Sequence, residues 1–294
     1  MDIKQLKFLI ALDQTRHFGQ AAVLCHITQP TLSMRLRSLE EELDLVLVKR
    51  GQRFEGFTEA GERILAWART LLAAHDGLQA EAASCRGQVV GMLRLGSVPL
   101  ASFNPMHLLL PLREKYPELH FQLSSHTSEQ VIDQLSRNQL DLGICYLDQV
   151  DTSFFEVIEL GTTTMGLLHD TRHFQFEQAE LHWQDLDDIP LGLLSKGMHY
   201  RQSLDLSFRS RGLEPMAVLE SDSTFQLIQA IASGVCCAVM PLDGGLEELG
   251  EPLRIIPISD ASIRSPVGLL LRRSEPRSAI AGQCFDEARA LFGG

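Results

Sequence analysis

The chain has 294 residues, of which 45% are hydrophobic and 22% charged, and its formal net charge at pH 7 is -12. This length suits two or three compact units, and the composition is that of an ordinary globular protein. No apolar run approaches the roughly 18 residues that a membrane span needs, so we expect no membrane partner. The six cysteines are scattered without C-x-x-C spacing, which is typical of reduced thiols in a cytoplasmic protein.

The acidic charge is unevenly distributed along the chain. Residues 1–60 contain eight Lys/Arg and eight Asp/Glu, so the whole negative excess lies after residue 60. A balanced N-terminal unit with clustered arginines can face DNA phosphates locally while the remainder of the protein repels them.

The N-terminal segment, residues 1–58, predicts a helix-turn-helix followed by a wing. Asp2 caps a helix over residues 3–14, and a second short helix covers 17–24. Thr28 caps a third helix, and Pro30 lies in its first turn, where the missing N–H costs nothing. The apolar stripe of this helix consists of Leu32, Leu36, Leu39 and Leu43. Its other faces are polar, as a recognition helix requires.

A wing and a long helix are predicted next. Residues 51–56 resemble a hairpin tip between short strands, with Arg50 and Arg53 beside it. Thr58 caps a linker helix over 59–87, in which a seven-residue repeat contains Ile64, Leu71, Leu78 and Cys85. This repeat is typical of a coiled-coil seam and predicts pairing with a second copy. The alternative is that the helix packs only against its own domain.

From residue 88 onward, strands and helices alternate, which predicts parallel α/β sheets. We expect one subdomain over 88–161 and 267–294 and another over 162–266. The predicted strands lie at 93–96, 119–123, 140–145, 165–168, 236–240 and 267–271, and the predicted helices at 106–116, 128–138, 224–233 and 278–291.

At this point the chain resembles the LysR-type transcriptional regulators over essentially its whole length. The motif residues are His17, Phe18, Ala21, Ala22, Leu24, Thr28 to Ser33, Leu39, Glu40, Leu43, Arg50 and Thr58 to Gly61, followed by Leu140 to Ile144, Ala232 to Gly234, Met240 and Pro241. The first part is most similar to the peroxide-sensing branch. The resemblance implies a winged helix-turn-helix, a linker helix, and an effector domain of two Rossmann-like subdomains, as in type 2 periplasmic binding proteins.

The resemblance also implies the partners of the protein. They are double-stranded promoter DNA, a small-molecule effector, further copies in a homodimer or homotetramer, and RNA polymerase, in the cytoplasm with the nucleoid. No cofactor or metal is expected. The sequence departs from the family pattern at Asp44, where glycine is usual, at Val48, where phenylalanine is frequent, and at Met34, where a polar or basic residue is common. A methionine can touch a thymine methyl but cannot donate to guanine.

The expected DNA contacts lie on the third helix and the wing. We assign Gln29, Pro30, Thr31, Ser33, Met34 and Arg37 to the major groove, with Thr28 at the helix start. Arg35, Arg50 and Arg53 are expected to contact phosphates. The alternative, an ordinary helical bundle with solvated arginines, does not require this motif spacing. Glu40 to Glu42 are expected to lie past the DNA-facing end, with Glu40 paired inside the domain.

The effector cleft is expected at the ends of parallel strands, where helix N-termini point inward. The candidate residues fall within 97–102, 127–128, 195–201 and 221–224, and they are Ser97, Pro99, Leu100, Ser102, Thr127, Ser128, Ser195, Lys196, His199, Arg201, Ser221 and Thr224. Hydroxyls with helix starts and three basic side chains favour a small anion. The alternative is that these hydroxyls serve only as helix caps.

Redox sensing and enzymatic catalysis are the alternatives to a regulator that binds a small effector. The resemblance places a reactive and a resolving cysteine where this chain has His199 and Ser207, so that thiol switch is excluded here. A redox response would need other cysteines, and Cys236 with Cys237 favours core packing. The spacing of His169 and His173 gives only a weak indication of a metal. A binding-protein-like enzyme is disfavoured because no nucleophile motif, phosphate loop or paired acids occur. A dimerisation or adaptor protein would not need the polar face.

Overall fold

A computed structural model of the protein describes residues 1–51, 54–86, 88–148, 150–162, 164–196, 198–215, 217–242, 244–245, 250–259, 266–274 and 277–293, with the backbone alone at Arg50, Ser84 and His199. The chain forms two units: Met1–Arg86 belongs to the first, and most of residues 88–293 belong to the second. Within the described residues, no helix is long and apolar enough to cross a membrane.

The first unit is a winged helix-turn-helix with a long C-terminal helix, as predicted. Its elements are α1 (Ile3–Thr15), α2 (Phe18–Leu24), α3 (Gln29–Leu43), β1 (Val48–Arg50), β2 (Phe54–Phe57) and α4 (Glu59–Ser84). The strands β1 and β2 form the antiparallel wing. One core joins the helices and the wing, and it includes Leu9, Leu12, Leu36, Leu47 and Leu65.

Local capping explains where these helices begin. The Asp2 carboxylate accepts the N–H of Gln5 in the predicted capping box, and the Thr58 hydroxyl accepts the N–H of Gly61. The sequence prediction was wrong by one residue at α2, because His17 precedes the helix as its cap. Its Nδ1 accepts the N–H groups of Gly19 and Gln20 at 3.1 and 3.2 Å.

The helix α4 has two different sides. Leu65 and Ala68 are buried in the core of the first unit. Trp67, Leu71 and Leu78 expose 67%, 42% and 69% of their surface, which is unusual for large apolar side chains in a row. Packing on its own domain therefore accounts for one side of the helix and leaves the other uncovered.

The first subdomain of the second unit is built on a five-stranded sheet. Its strands are β3 (Gly91–Ser97), β4 (Leu119–Ser125), β5 (Leu142–Tyr146), β6 (Phe155–Thr162) and the returning β12 (Pro266–Arg272), in the order β4-β3-β5-β12-β6. The helices α5 (Met106–Lys115), α6 (Ser128–Ser136) and α9 (Ala279–Phe292) belong with it. The expectation of wholly parallel strands was wrong, because β12 runs antiparallel to both neighbours.

The second subdomain repeats this arrangement. The strands β10 (Ala238–Pro241), β7 (Met165–Asp170) and β11 (Leu253–Pro257) form one sheet, and β8 (Leu191–Leu194) pairs with β9 (Ala217–Ser221). A parallel bridge between Leu191 and Cys237 joins the two parts. Here β7 is the antiparallel strand. A short 3-10 helix (Trp183–Leu186), α7 (His199–Ser210) and α8 (Thr224–Ala232) complete the subdomain.

Candidate functional site

The helix α3 is fixed in the first unit by one row of leucines. Leu32, Leu36 and Leu39 expose no more than 1% of their surface. The Thr28 hydroxyl caps the helix by accepting the N–H of Thr31 at 3.4 Å, and Pro30 falls in the first turn as predicted. The buried row and the capped start hold the opposite side of the helix rigidly toward solvent.

The predicted DNA contacts have the exposure that such contacts need. Thr28, Gln29, Pro30, Met34, Arg35 and Arg37 are exposed, and Thr31 and Ser33 are half-buried. Arg35 lies 3.9 Å from Asp2, which is a weak pairing that a phosphate can displace. The side chain of Arg50 and the whole of Arg53 lie outside the described residues.

The acidic shoulder of α3 begins with a structural carboxylate. Glu40 Oε1 accepts the backbone N–H groups of Leu47 and Val48 at 2.9 and 3.1 Å. These bonds tie α3 to the start of the wing, as expected for a pairing inside the domain. Asp44 ends the helix with φ 51° and ψ 42°, the left-handed conformation that the family's usual glycine would adopt freely.

A cavity of about 470 Å³ lies between the two subdomains of the second unit. Its size is in the range of small-molecule sites. The first subdomain contributes Val98, Pro99, Ser125, His126, Thr127, Gln130 and Tyr146, and the second contributes Leu194, Met198, Tyr200, Asp222 and Thr224.

The polar groups of the cavity wall are largely occupied. The Tyr146 and Tyr200 hydroxyls donate to the carbonyl oxygens of Leu100 and Val239 at 3.3 and 3.1 Å, so both present mainly ring surface to the cavity. Burial lowers the pKa of His126, and its ring nitrogens lie 3.2 Å from Gln134 Nε2 and 2.9 Å from Ser124 Oγ. A neutral imidazole satisfies both contacts.

The structure places the predicted effector residues unequally. Pro99, Thr127 and Thr224 line the cavity. Leu100 packs against the core of the second subdomain with φ 55°, a left-handed value that is uncommon for leucine. The hydroxyls of Ser102 and Ser128 are buried without a hydrogen-bond partner among the described residues.

The remaining predicted hydroxyls mostly serve the local backbone. The Ser97 hydroxyl donates to Val98 O at 3.2 Å, and the Ser221 hydroxyl lies 3.1 Å from Gln226 Oε1. Ser195 is half-buried next to exposed Lys196, and the side chain of His199 lies outside the described part of the chain.

Arg201 has a different role from the one predicted. Its guanidinium is only 7% exposed and donates to Asp205 Oδ1 at 2.7 Å, Glu220 Oε1 at 3.1 Å and Leu194 O at 2.7 Å. Two carboxylates already balance its charge, so its contacts are those of a structural ion pair that anchors α7 to β8 and β9.

Three helices begin beside the cavity, and their caps differ. The Thr127 hydroxyl accepts the N–H of Gln130 at the start of α6, and the Ser223 hydroxyl accepts that of Gln226 in α8. The helix α7 begins after Met198 with no side-chain cap. Uncapped first-turn N–H groups carry partial positive charge, which is the feature of this wall that suits a carboxylate.

Most of the described thiols are buried. Cys145, Cys236, Cys237 and Cys284 are fully buried, and burial raises the pKa of Cys145, Cys237 and Cys284 to about 12. Cys85 is exposed, at the end of α4. Cys236 and Cys237 belong to the core of the second subdomain, as predicted. The described residues contain no group of His, Cys, Asp or Glu that could hold a metal ion.

The sequence reasoning missed several cavity residues. Gln130, Tyr146, Leu194 and the pair Ser125 and His126 fall outside the predicted ranges. Their places in the sequence could have indicated them. Ser125 and His126 directly precede Thr127, and Tyr146 and Leu194 each end a strand.

The fold and the cavity define a DNA-binding regulator with a ligand-binding domain, and family comparison agrees. The model for the bacterial regulatory helix-turn-helix protein, lysR family, matches residues 3–62, and the LysR substrate binding domain matches residues 86–293. The chain belongs to the LysR family of transcriptional regulators.

Similar proteins include peroxide-responsive regulators. The hydrogen peroxide-inducible genes activator of Haemophilus influenzae is 27% identical over 100% of this chain and 99% of its own length. The DNA-binding transcriptional dual regulator OxyR of Escherichia coli is 28% identical, with 100% and 97% covered.

Solved structures show the same fold. CbnR, a LysR family transcriptional regulator, has a TM-score of 0.75 at 19% identity and covers 99% of both chains. Full-length OxyR from Pseudomonas aeruginosa has a TM-score of 0.68 at 24% identity, with 98% and 95% covered.

Proposed function

We propose that this LysR-type regulator reads promoter DNA with the exposed side of α3 and responds to a small molecule in the cavity between its subdomains. The observation that carries the DNA part is the capped, leucine-anchored α3 with its exposed outer side. Gln29, Pro30, Thr31 and Ser33 contact base edges in the major groove, where the N-terminal part of a recognition helix lies.

The remaining assigned residues orient the helix on the duplex. Thr28 begins it, Met34 and Arg37 extend its groove-facing side, and Arg35, Arg50 and Arg53 contact phosphates. Phosphate contacts add affinity without selecting a sequence, whereas base contacts select.

The test is binding of the full-length protein to its own upstream DNA and to random duplex at two salt concentrations. We expect discrimination that persists at high salt and is reduced in Ser33→Ala. Ser136→Ala, whose hydroxyl bonds Ile132 O within α6, is the matched control. Equal binding of both duplexes that collapses with salt indicates phosphate attraction alone and contradicts the proposal.

The effector is proposed to be a small molecule with an apolar body and an anionic group. The surface of the cavity wall is mainly apolar, and the uncapped start of α7 supports the anion. Arg201 does not support an anionic ligand, because its guanidinium is already paired with Asp205 and Glu220. Asp222, which lines the cavity, opposes a carboxylate that approaches it.

Matched pairs of aromatic carboxylates and their amides test this assignment by thermal shift of the whole protein. We expect carboxylates to bind more tightly, and Asp222→Asn to increase their affinity without changing that of the amides. Asp151→Asn is the control, because Asp151 is exposed and lies outside the cavity. Tighter binding of the amides refutes the assignment of an anionic ligand. If Thr224→Trp leaves the affinity of a ligand unchanged, that ligand does not bind in the cavity.

The mechanism we propose couples the cavity to DNA geometry. Ligand draws the two subdomains together, and the assembly then bends DNA differently and alters access of RNA polymerase. By linkage, the DNA geometry favoured by the ligand must favour ligand binding equally. The regulator is not expected to be an enzyme, and turnover of a bound ligand by the pure protein would contradict this.

The assembly is proposed to be a homodimer through the exposed side of α4, paired further into a homotetramer in the cytoplasm. Trp67, Leu71 and Leu78 provide the apolar row that a second helix covers. Leu78→Glu is expected to lower the molar mass measured by light scattering. Leu110→Glu, which changes an exposed leucine on α5 outside this row, is the control and is expected to leave the pairing through α4 intact. An unchanged mass in Leu78→Glu contradicts the assignment.

A redox response is the alternative function, and the similarity to hydrogen peroxide-inducible genes activators supports it. The buried, high-pKa cysteines oppose it, because the thiolate is the form that peroxide oxidises. We therefore expect DNA binding to be the same after peroxide and after a reducing agent. A peroxide-dependent change that is lost in Cys85→Ser would favour the redox alternative instead.

A further inference from the structure

The exposed side of α3 has an apolar centre. Pro30, Met34, Arg37 and Glu41 are all exposed and recur at the spacing of one helix face. This row is the buried leucine row shifted by two residues, which places it about 200° round the helix, directly opposite the core. Met34 therefore occupies the middle of the outermost row, flanked by polar Ser33 and Arg35.

Met34 exposes 60% of its surface, and its thioether has no strong hydrogen-bonding group. In a major groove, the base edges present hydrogen-bond donors and acceptors, and the C5-methyl group of thymine is the largest apolar group among them. A methionine pressed against guanine, adenine or cytosine edges would desolvate those groups without replacing their hydrogen bonds, which is unfavourable. Thymine is the base that offers it a methyl group to pack against.

We infer that Met34 contacts the C5-methyl group of a thymine and so determines that base at one position of the recognised DNA. The inference rests on the proposed DNA-binding function of α3. Pro30, one turn earlier on the same row, adjoins Met34 and extends the apolar strip along the groove. Arg37, three residues later on the same row, is exposed.

The test begins with selection of bound sequences from a random duplex library by the full-length protein. A thymine is expected at one position, and that base is then replaced by deoxyuridine, which removes only the C5-methyl group. Affinity should fall about four-fold, which corresponds to ~0.8 kcal/mol for a buried methyl-sized group at 1.4 kcal/mol per factor of ten.

Variants assign the methyl effect to one side chain. Met34→Ala should bind the thymine and deoxyuridine duplexes equally, and Met34→Leu should retain the preference for thymine. Met92→Ala is the matched control, because Met92 is a 49% exposed methionine on β3 of the other unit. Its preference for thymine should equal that of the unchanged protein. A C·G pair at this position should bind weakly and recover when the cytosine carries a 5-methyl group.

The outcomes separate this inference from the function on which it rests. Sequence selection with equal binding of thymine and deoxyuridine at every thymine position overturns the Met34 contact and leaves the DNA-binding function standing. A thymine preference that survives in Met34→Ala also overturns the contact. Absence of any selected sequence overturns both the contact and the proposed function.

Discussion

Removal of the Glu40 carboxylate should loosen the wing of the DNA-binding unit. Glu40 Oε1 accepts the N–H groups of Leu47 and Val48, and both residues are at most 1% exposed. A hydrogen bond to a charged group contributes roughly 1.5–3 kcal/mol, and Glu40→Ala leaves two such donors without it. With the lower value for a half-buried carboxylate, the local opening free energy should fall by about 3 kcal/mol, or about 100-fold in the opening equilibrium.

Amide hydrogen exchange of the full-length protein measures this change at the two donors. Exchange at Leu47 and Val48 should accelerate by about 100-fold in Glu40→Ala and by less in Glu40→Gln, which keeps an oxygen acceptor without the charge. Glu41→Ala is the matched control, because Glu41 is exposed on the same helix. Unchanged exchange in Glu40→Ala, or equal acceleration in Glu41→Ala, refutes the assigned role.

Three further changes test the fold. Gly61→Ala should destabilise the protein by about 2 kcal/mol in thermal denaturation, because the added Cβ would lie 2.1 Å from the Leu47 carbonyl oxygen. Asp44→Gly should stabilise it by about 1 kcal/mol, since it relieves the left-handed backbone at φ 51° and removes a negative charge at a helix end. Burial lowers the folded pKa of His126 below its unfolded value, so stability is full above the unfolded pKa and decreases as pH falls toward the folded one. We expect the free energy of unfolding to decrease between pH 7 and pH 5, and to decrease less in His126→Gln than in the unchanged protein.

Much of the first unit could be predicted because its signals are local. Asp2, Thr28 and Thr58 each cap a helix with a side chain only three residues from the amide that it binds. His17 was misplaced because an imidazole is a rare cap, and only the geometry shows its Nδ1 accepting two amides. Strand direction in the second unit depends on chain connections between subdomains, so nothing near β7 or β12 indicated that they run antiparallel.

The cavity was harder to predict than the recognition helix because its residues come from distant segments. The ranges 97–102 and 221–224 did contain lining residues, since strand ends in such folds meet at one edge. The charge of the cavity was predicted least well, because Arg201 was expected to face the ligand and instead pairs with two carboxylates. Asp205 stands four residues after Arg201, and that spacing was visible, whereas Glu220 pairs with Arg201 only through the parallel contact of β8 and β9.

The position of the cavity restricts how any ligand can act. The chain passes from the first subdomain to the second between β6 and β7 and returns between β11 and β12. A ligand shifts a conformational equilibrium only by the difference between its affinities for the two states. A ligand that touches one subdomain alone has the same contacts whatever the angle between the sheets, and so it cannot change that angle. Tyr146 lines the cavity from the first subdomain and Tyr200 lines it from the second. A ligand that contacted both rings would therefore have an affinity that depends on the position of the subdomains.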